Sequence, residues 1–181
     1  MSEKDINTAN KIKEAAGTLF TEKGFGRTTT REIATAAGVN LALVNYHFRS
    51  KDELFTAVMM ETVESFVKQL RVLLNNEKSF DEKLDEVVNN YIDLLLVRPD
   101  LPIFMLSELR NNPEDMTSKL KLHELFGESS FFRELFQRAP EGIHPIQIFI
   151  NMLSMTVFPF LAKPLLSAAA GLEEDQFKLT M

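Results

Sequence analysis

The chain of 181 residues has 45% hydrophobic and 25% charged side chains, no cysteine and a net charge of −6. This composition is that of a soluble globular protein of one domain or two, and it excludes disulfides, thiolate metal sites and cysteine nucleophiles. Residues 1–10, MSEKDINTAN, have the pattern of neither a secretory signal nor a transit peptide, so we expect a cytoplasmic protein that binds no membrane.

The first 50 residues predict short helices separated by glycines. Apolar residues at helical spacing, followed by Gly24, predict a helix over residues 8–23. Thr29 and Glu32 have the spacing of a capping box, in which each side chain caps the backbone of the other residue. They predict a second, very short helix that ends at Gly38.

A third short helix and a long fourth one follow. Asn40 is a suitable N-cap for the third helix, and Ser50 with Glu53 forms another capping-box pair that opens the fourth. From Lys51 the apolar residues recur at helical spacing to about residue 75, without glycine or proline. At ~1.5 Å per residue this helix is ~35 Å long, which is enough to link two bodies.

Beyond residue 75 the pattern predicts further amphipathic helices with prolines between them. Their predicted ranges are 81–97, 102–109, 114–126, 129–138 and 144–166. Pro159 and Pro164 predict a kink or an end in the last of these helices. No stretch alternates apolar and polar residues as a strand would, so the fold class we predict is all-α.

The second and third helices, joined by a short glycine-containing turn, have the arrangement of a helix-turn-helix. At 100° per residue, Val44 and Phe48 of the third helix face the second helix, and Leu41 lies on the border between core and free face. The free face carries Ala42, Asn45 and Tyr46. A helix with one packed and one free face can enter the DNA major groove.

The charge is distributed unevenly along the chain. Residues 1–51 contain eight Lys and Arg against five Asp and Glu, a net of +3, so the remaining residues carry −9. This asymmetry indicates an N-terminal segment that meets an anion and a body that does not.

Two stretches carry a resemblance to a known family. Residues 29–40, TTREIATAAGVN, and residues 46–54, YHFRSKDEL, resemble the DNA-binding part of TetR-family bacterial transcriptional regulators, and the match covers about residues 10–58. The resemblance implies a homeodomain-like three-helix DNA-binding domain over residues 1–50 and a helical ligand-binding and dimerisation domain over residues 51–181. It also implies a repressor that binds a palindromic operator as a homodimer and is released by a small ligand.

The resemblance assigns roles to individual residues. It implies that Thr30, Tyr46, His47 and Lys51 contact phosphates, and Thr30 and Lys51 also stand at helix N-termini, which favour anions. Arg31 is expected to reach a guanine edge. The positions that approach bases are Leu41, Ala42, Leu43 and Asn45.

Two residues of this candidate interface depart from the family pattern. Asn40 stands where the family commonly has Ser or Thr, and it keeps the N-cap chemistry. Asn45 stands where the family most often has Tyr, and the adjacent Tyr46 can supply the phenol instead. Because an amide pairs bidentately with adenine, Asn45 is the residue on which specificity should be tested first.

The C-terminal part holds most of the 15 Phe and eight Met residues. Each of these residues, taken singly, is best explained as part of a helical core. The family resemblance implies that some of them together line a pocket for an apolar or aromatic ligand. We predict that some of the following residues line that pocket: Phe66, Tyr91, Phe104, Met105, His123, Phe126, Phe149 and Met152.

The stretch 146–166 is more apolar than one monomer would leave exposed, and it matches the family's dimerisation helix. After Gly171 only ten residues remain, which is too few for a second long helix. Either the chain is shorter than its relatives, or its dimer depends mainly on the one helix and neighbouring segments.

Two other classes of function are weighed against the regulator. For an enzyme, GESSF at residues 127–131 lacks the last glycine of a nucleophile elbow, so we assign no catalytic residue. The three histidines are far apart, and GFGRTT lacks the third glycine of a dinucleotide site, so we expect no metal and no cofactor. A helical adaptor that binds no DNA is the other alternative.

Overall fold

A computed structural model describes residues 3–171, 173 and 175–177 of the chain. Within these residues every regular element is an α-helix, as the sequence predicts. The helices are α1 (Glu3–Lys23), α2 (Thr30–Ala36), α3 (Leu41–His47), α4 (Lys51–Leu74), α5 (Phe80–Val97), α6 (Leu101–Asn111), α7 (Pro113–Lys119), α8 (Leu122–Glu128), α9 (Ser130–Gln137) and α10 (Pro145–Ala170). The chain forms two compact units, which we call the N-terminal and the C-terminal unit, and the division between them falls after Ser65, within α4. The domain boundary that we predict between residues 50 and 51 lies at the start of that helix.

The N-terminal unit surrounds one apolar core, to which α1, α2, α3 and the first turns of α4 contribute. Its buried members are Ile12, Ala16, Phe20, Ile33, Ala34, Val44, Leu54 and Val58. Helix α1 begins at Glu3, earlier than the predicted start at residue 8. The residues before Thr8 are mostly polar, so they show no apolar stripe that would reveal a helix in the sequence.

Helix α4 spans Lys51–Leu74, close to the predicted range. Its start uses half of the predicted capping box. The amide of Glu53 donates to Ser50 Oγ at 3.0 Å, but the Glu53 carboxylate accepts from the amide of Arg49 at 3.2 Å instead of that of Ser50. The Ser50 hydroxyl thus satisfies one backbone donor that the helix leaves unpaired at its N-terminus, and the Glu53 carboxylate satisfies a donor just before the helix.

The C-terminal unit is held by packed aromatic rings. Phe131 of α9 is buried and stacks on Phe80 of α5, with ring centroids 4.9 Å apart. Beyond α10, Phe177 is buried edge-on against Phe160 at 5.4 Å. The prediction that the residues after Gly171 form no second long helix falls mainly outside the described part of the chain.

The helix predicted over residues 114–126 is wrong, because the chain forms two helices there. Lys121, between α7 and α8, has a left-handed backbone with φ of 47°, the one positive φ outside glycine in the described residues. Arg71 of α4 donates through Nη2 to the carbonyls of Leu120 and Lys121. The Lys121 carbonyl also accepts from the amide of Leu125 in α8, so Arg71, a cation distant in the sequence, supports the chain at the break between the two helices.

Helix α10 continues through both of its prolines, so of the kink or end predicted there, the end is not found. It ends instead at Gly171, which adopts a left-handed conformation with φ of 65°. Each proline removes one helical hydrogen bond, but α10 also packs on α5, α6 and α9, which supports it.

Most of α10 is apolar and exposed. Residues Ile146–Ala170 are long and apolar enough to cross a membrane by length and composition, the one such stretch in the described residues. Its large exposed side chains are Ile146, Ile150, Leu153, Met155, Phe158, Leu165 and Leu166. A surface of this kind on a single chain indicates a contact with another molecule.

Candidate nucleic-acid interface and ligand groove

Helix α2 is held at its N-terminus by the predicted capping box. The Thr29 hydroxyl accepts from the amide of Glu32 at 3.3 Å, and the Glu32 carboxylate accepts from the amide of Thr29 at 2.9 Å. Lys23 adds a 2.8 Å ion pair to the same carboxylate. Hydrogen bonds from Lys23 and then Thr29 lower the pKa of Glu32 to about 2, so the cap stays charged under ordinary conditions.

The turn between α2 and α3 is formed as predicted. Gly38 adopts a left-handed conformation with φ of 65°, which a residue without Cβ reaches without strain. Asn40 then caps α3, its Oδ1 accepting from the amide of Leu43 at 2.8 Å. The Asn40 side chain, which we place among the candidate DNA-binding residues, therefore has a structural task already.

One face of α3 packs into the core of the N-terminal unit. Val44 is 1% exposed, and Phe48, just after the helix, packs partly buried against the same core. Leu41, which the sequence leaves between core and groove, also packs against this core. Its side chain is therefore less available to a base than those of its neighbours.

The opposite face of α3 is open. Ala42 and Asn45 are exposed, Leu43 is 37% exposed and Tyr46 is 72% exposed. This side of the helix is therefore available to a partner. We call these four residues the α3 face.

The remaining residues of the candidate interface differ in exposure. Arg31 is exposed in the first turn of α2, and Thr30 beside it is half-buried. His47 is half-buried next to the ring of Tyr46, 5.1 Å away, and its Nε2 lies buried without a hydrogen-bond partner. Lys51 differs from the phosphate-facing lysine that we expect, because its ammonium donates to the carbonyls of Phe25 and Thr28.

The predicted pocket residues make several contacts within the C-terminal unit. The rings of Phe66 and Tyr91 stack at 5.4 Å, and burial raises the pKa of Tyr91. Phe126 and Phe149 meet edge-on at 5.2 Å. Phe104 is buried and Met105 half-buried on α6.

His123 and Met152 line two separate hollows. His123 is exposed on α8 and borders a shallow depression of about 450 Å³ with Pro113 and Thr117. Met152 lies in an open groove of about 590 Å³ between α5 and α10. The other residues of this groove are Leu84, Asp85, Val88, Asn89, Pro140, Ile143, Ile148, Asn151 and Met155.

Sequence reasoning missed most of this groove, which we call the α5–α10 groove. Leu84, Asp85, Val88 and Asn89 recur at spacings of one and four residues, so they form one stripe along α5. This stripe is visible in the sequence, although nothing in the sequence places it opposite α10. Among the described residues no group of three or more His, Asp or Glu side chains could hold a metal ion.

Comparison with known proteins gives the same assignment for the N-terminal unit. Residues 12–58 match the family model of bacterial regulatory proteins of the tetR family. "Probable HTH-type transcriptional regulator YttP" of Bacillus subtilis is 38% identical over 85 residues, 46% of this chain and 41% of that protein. IcaR of Staphylococcus aureus, a negative transcriptional regulator of the biofilm operon icaADBC, is 26% identical over 112 residues, 61% of this chain and 58% of that protein. The matches thus span about half the length of these relatives.

Solved structures show a similar fold over nearly the whole chain. The regulator FadR of Bacillus subtilis, in complex with stearoyl-CoA, has a TM-score of 0.61 and 19% identity, and the match covers 94% of this chain and 96% of that one. A transcriptional regulator from Rhodococcus has a TM-score of 0.62 and 19% identity, with 94% of this chain and 88% of that one covered. At this identity the likeness shows the fold, which is the all-α arrangement predicted above.

Proposed function

We propose that this chain, which belongs to the tetR family of bacterial regulatory proteins, binds double-stranded DNA and regulates transcription by inserting α3 into the major groove. The observation that carries the proposal is the division of α3 into a buried side, with Val44, and the open α3 face. On the open side Tyr46, 72% exposed, presents both its ring and its hydroxyl to a partner. The positive charge of residues 1–51 supports an anionic partner.

Base readout falls to the exposed side chains. Asn45 has the amide that pairs with the N6 and N7 groups of adenine, and Arg31 has the guanidinium that pairs with O6 and N7 of guanine. Ala42 and Leu43 offer apolar contact to thymine methyl groups. Because Leu41 packs against the core, we place it behind this surface as its support.

Backbone contacts are proposed for Thr30, Tyr46 and His47, as the family resemblance implies. The phenol of Tyr46 is fully available to a phosphate oxygen, since most of its side chain is exposed. The buried Nε2 of His47 has no hydrogen-bond partner in the described structure, so we propose a phosphate oxygen as its partner on DNA. Such contacts fix the register of the protein on the duplex.

The chain is proposed to act as a homodimer on a palindromic operator. The exposed apolar side chains of α10 form a surface that a second copy would cover. A two-fold dimer places two recognition helices on half-sites that are one DNA turn apart, ~34 Å, or a multiple of it.

A small apolar or aromatic ligand is proposed to release the operator. The α5–α10 groove has the size of ligand sites in other proteins, and its described lining is apolar apart from Asp85, Asn89 and Asn151. The stearoyl-CoA bound to the B. subtilis regulator supports a lipophilic ligand. Because those lining residues include no Lys, Arg or His, we expect the bound part of the ligand to carry no negative charge.

The relatives are transcriptional regulators, which argues against an enzyme. Repression is proposed over activation because IcaR is a negative regulator. The helical adaptor remains the alternative that an experiment must exclude.

The test measures binding of the purified chain to DNA from upstream of its own gene, over a series of salt concentrations. Arg31→Ala and Tyr46→Ala are each expected to weaken binding about tenfold or more, since each removes a base or phosphate contact. Arg110→Ala is the control, because it removes one exposed Arg from the C-terminal unit. Binding that is independent of salt, or equally strong in all three variants, would contradict DNA recognition through this unit.

A further inference from the structure

The ammonium group of Lys51 faces the protein. Its Nζ donates to the carbonyl of Phe25 at 2.9 Å and to that of Thr28 at 3.0 Å, and it lies 4.2 Å from the centroid of the Phe25 ring. Two of its three N–H donors are therefore used inside the N-terminal unit, and the ring adds a cation–π contact. Lysine in the first turn of a helix is opposed by the helix dipole, so these acceptors also compensate for an unfavourable position.

Both acceptors belong to the loop between α1 and α2. Hydrogen bonds of the Thr28 hydroxyl, inside the N-terminal unit, also stabilise this loop. Thr28 is 1% exposed, and its hydroxyl lies 2.9 Å from the carbonyl of Gly24 and 3.2 Å from that of Leu19. Its amide also donates to the Phe25 carbonyl, at 3.4 Å. Loop residues 24–28 are thus attached to α1 by Thr28 and to α4 by Lys51.

This loop leads directly into α2. Thr29, the next residue, is the N-cap, and Thr30 and Arg31 follow in the first turn. A change in the loop would therefore move the start of α2 and the base of the Arg31 side chain together. Base readout needs a donor placed within a fraction of an ångström, so a small displacement removes it.

We infer that Lys51 is a positioning residue, which fixes the α1–α2 loop and thereby aims Arg31 at its base. This inference rests on the proposed DNA-binding function and assigns Lys51 a different task from the phosphate contact that the resemblance implies. Its ammonium group contacts two carbonyl oxygens and an aromatic ring of its own protein, so less of its charge acts on a phosphate of the DNA. Lys51 then determines sequence discrimination more than electrostatic affinity.

The test compares Lys51→Met with Arg49→Met, which removes an exposed positive charge two residues away. The probes are a duplex selected by the unmodified chain from a random-sequence pool and a scrambled duplex of the same length. For Lys51→Met we expect the ratio of the two affinities to fall about tenfold, the order of one lost base contact. We expect the salt dependence to stay unchanged in Lys51→Met, whereas the loss of one phosphate contact would change it by about 0.9.

A second variant, Thr28→Val, weakens the loop contacts without changing the charge of the protein. It replaces the hydroxyl with a methyl group of similar shape and leaves every positive charge in place. We expect it to lower discrimination as Lys51→Met does, with an unchanged salt dependence. Hydrogen exchange of the backbone amide at position 28 in the free protein is expected to become about tenfold faster in both variants, because the loop loses a support.

The results separate this inference from the proposed function. If the unmodified chain prefers no duplex, DNA recognition fails, while the exchange rate of the Thr28 amide still tests whether Lys51 holds the loop. If Lys51→Met weakens both duplexes equally, lowers the salt slope by about one and leaves the loop amides unchanged, Lys51 is a phosphate contact. That outcome, or unaltered discrimination in Thr28→Val, would overturn the inference.

Discussion

The two units differ in what holds their helices. In the N-terminal unit, α2 and α3 are each capped by a side chain, Thr29 and Asn40 respectively. In the C-terminal unit, four consecutive helices, α6 to α9, begin without a side-chain cap bond, and packed aromatic rings such as Phe80 on Phe131 hold the unit together. Local polar contacts therefore define the short helices of the first unit, and long-range packing defines the short helices α6 to α9 of the second, where only the longer α5 and α10 have side-chain caps among the described helices.

The same contrast extends to the surface. In the N-terminal unit the large exposed apolar residues are Ile6 and the α3 residues Leu43 and Tyr46. In the C-terminal unit many more are exposed, among them Ile103 and Leu106 on α6 and Met155 and Phe158 on α10. The first unit can thus present a small, defined surface to a polar partner, while the second leaves apolar area that a further chain would cover.

The strongest test of this contrast places a charge in the apolar surface of each unit. Phe158→Asp, at a side chain 65% exposed on α10, is expected to weaken the proposed dimer about 100-fold or more, because the interface would bury an unpaired carboxylate. Ile6→Asp, at a side chain 48% exposed on α1, is the control and is expected to leave association unchanged. Sedimentation equilibrium measures both.

An unmodified chain that sediments as a monomer at micromolar concentration would remove the basis of the two-fold docking on DNA. A dimer that tolerates Phe158→Asp would place the interface on another surface, for which the exposed face of α6 is available.

The sequence predicts the local polar contacts of the structure better than its long-range packing. The capping box of Thr29 with Glu32 and the cap at Asn40 are confirmed by their hydrogen bonds. Both could be predicted because each joins residues only three positions apart. The start of α5 could have been predicted in the same way, since Ser79 and Glu82 form a complete capping box. These signals are local, so one sequence contains all the information that they need.

The features that the sequence does not predict depend on distant partners. Lys121 breaks a helix that the apolar pattern continues, and the group that stabilises the break is Arg71, about fifty residues earlier. Lys51 finds its acceptors 26 and 23 residues earlier, and Met152 reaches the α5 side of its groove across two-fifths of the chain. Helical periodicity identifies faces but does not say which faces meet.

A second test compares two N-cap positions, one in each unit. Asn40→Ala removes the 2.8 Å bond to the amide of Leu43 and is expected to lower the stability of the N-terminal unit by about 1 kcal/mol. Ser129→Ala is the matched control at the N-cap of α9, where the buried hydroxyl makes no hydrogen bond. Removing that hydroxyl is expected to be neutral or stabilising, because it relieves an unsatisfied polar group.

Native-state hydrogen exchange, followed separately for amides of α1–α3 and α9, measures the two effects within their own units. A loss of stability in Ser129→Ala as large as that in Asn40→Ala would show that caps matter equally in both units, and the contrast drawn above would not hold.

The smallest expected effect concerns pH. The pKa of the Glu32 carboxyl falls from an ordinary 4.5 to about 2 in the folded chain, first through the Lys23 hydrogen bond and then through those of Thr29. A carboxyl whose pKa is lowered by folding stabilises the folded state above its unfolded pKa. That contribution is therefore fully present above about pH 4.5 and is lost as the pH falls towards 2.

Lys23→Met removes the first of these hydrogen bonds and leaves the capping box in place. We expect the pKa of Glu32, followed by NMR of its carboxyl carbon, to rise part of the way towards 4.5. Thr29→Val removes the hydroxyl but keeps the ion pair with Lys23, so it is expected to raise the pKa by less. A larger rise in Thr29→Val would mean that the local cap, more than the contact from α1, holds the charge at the start of α2.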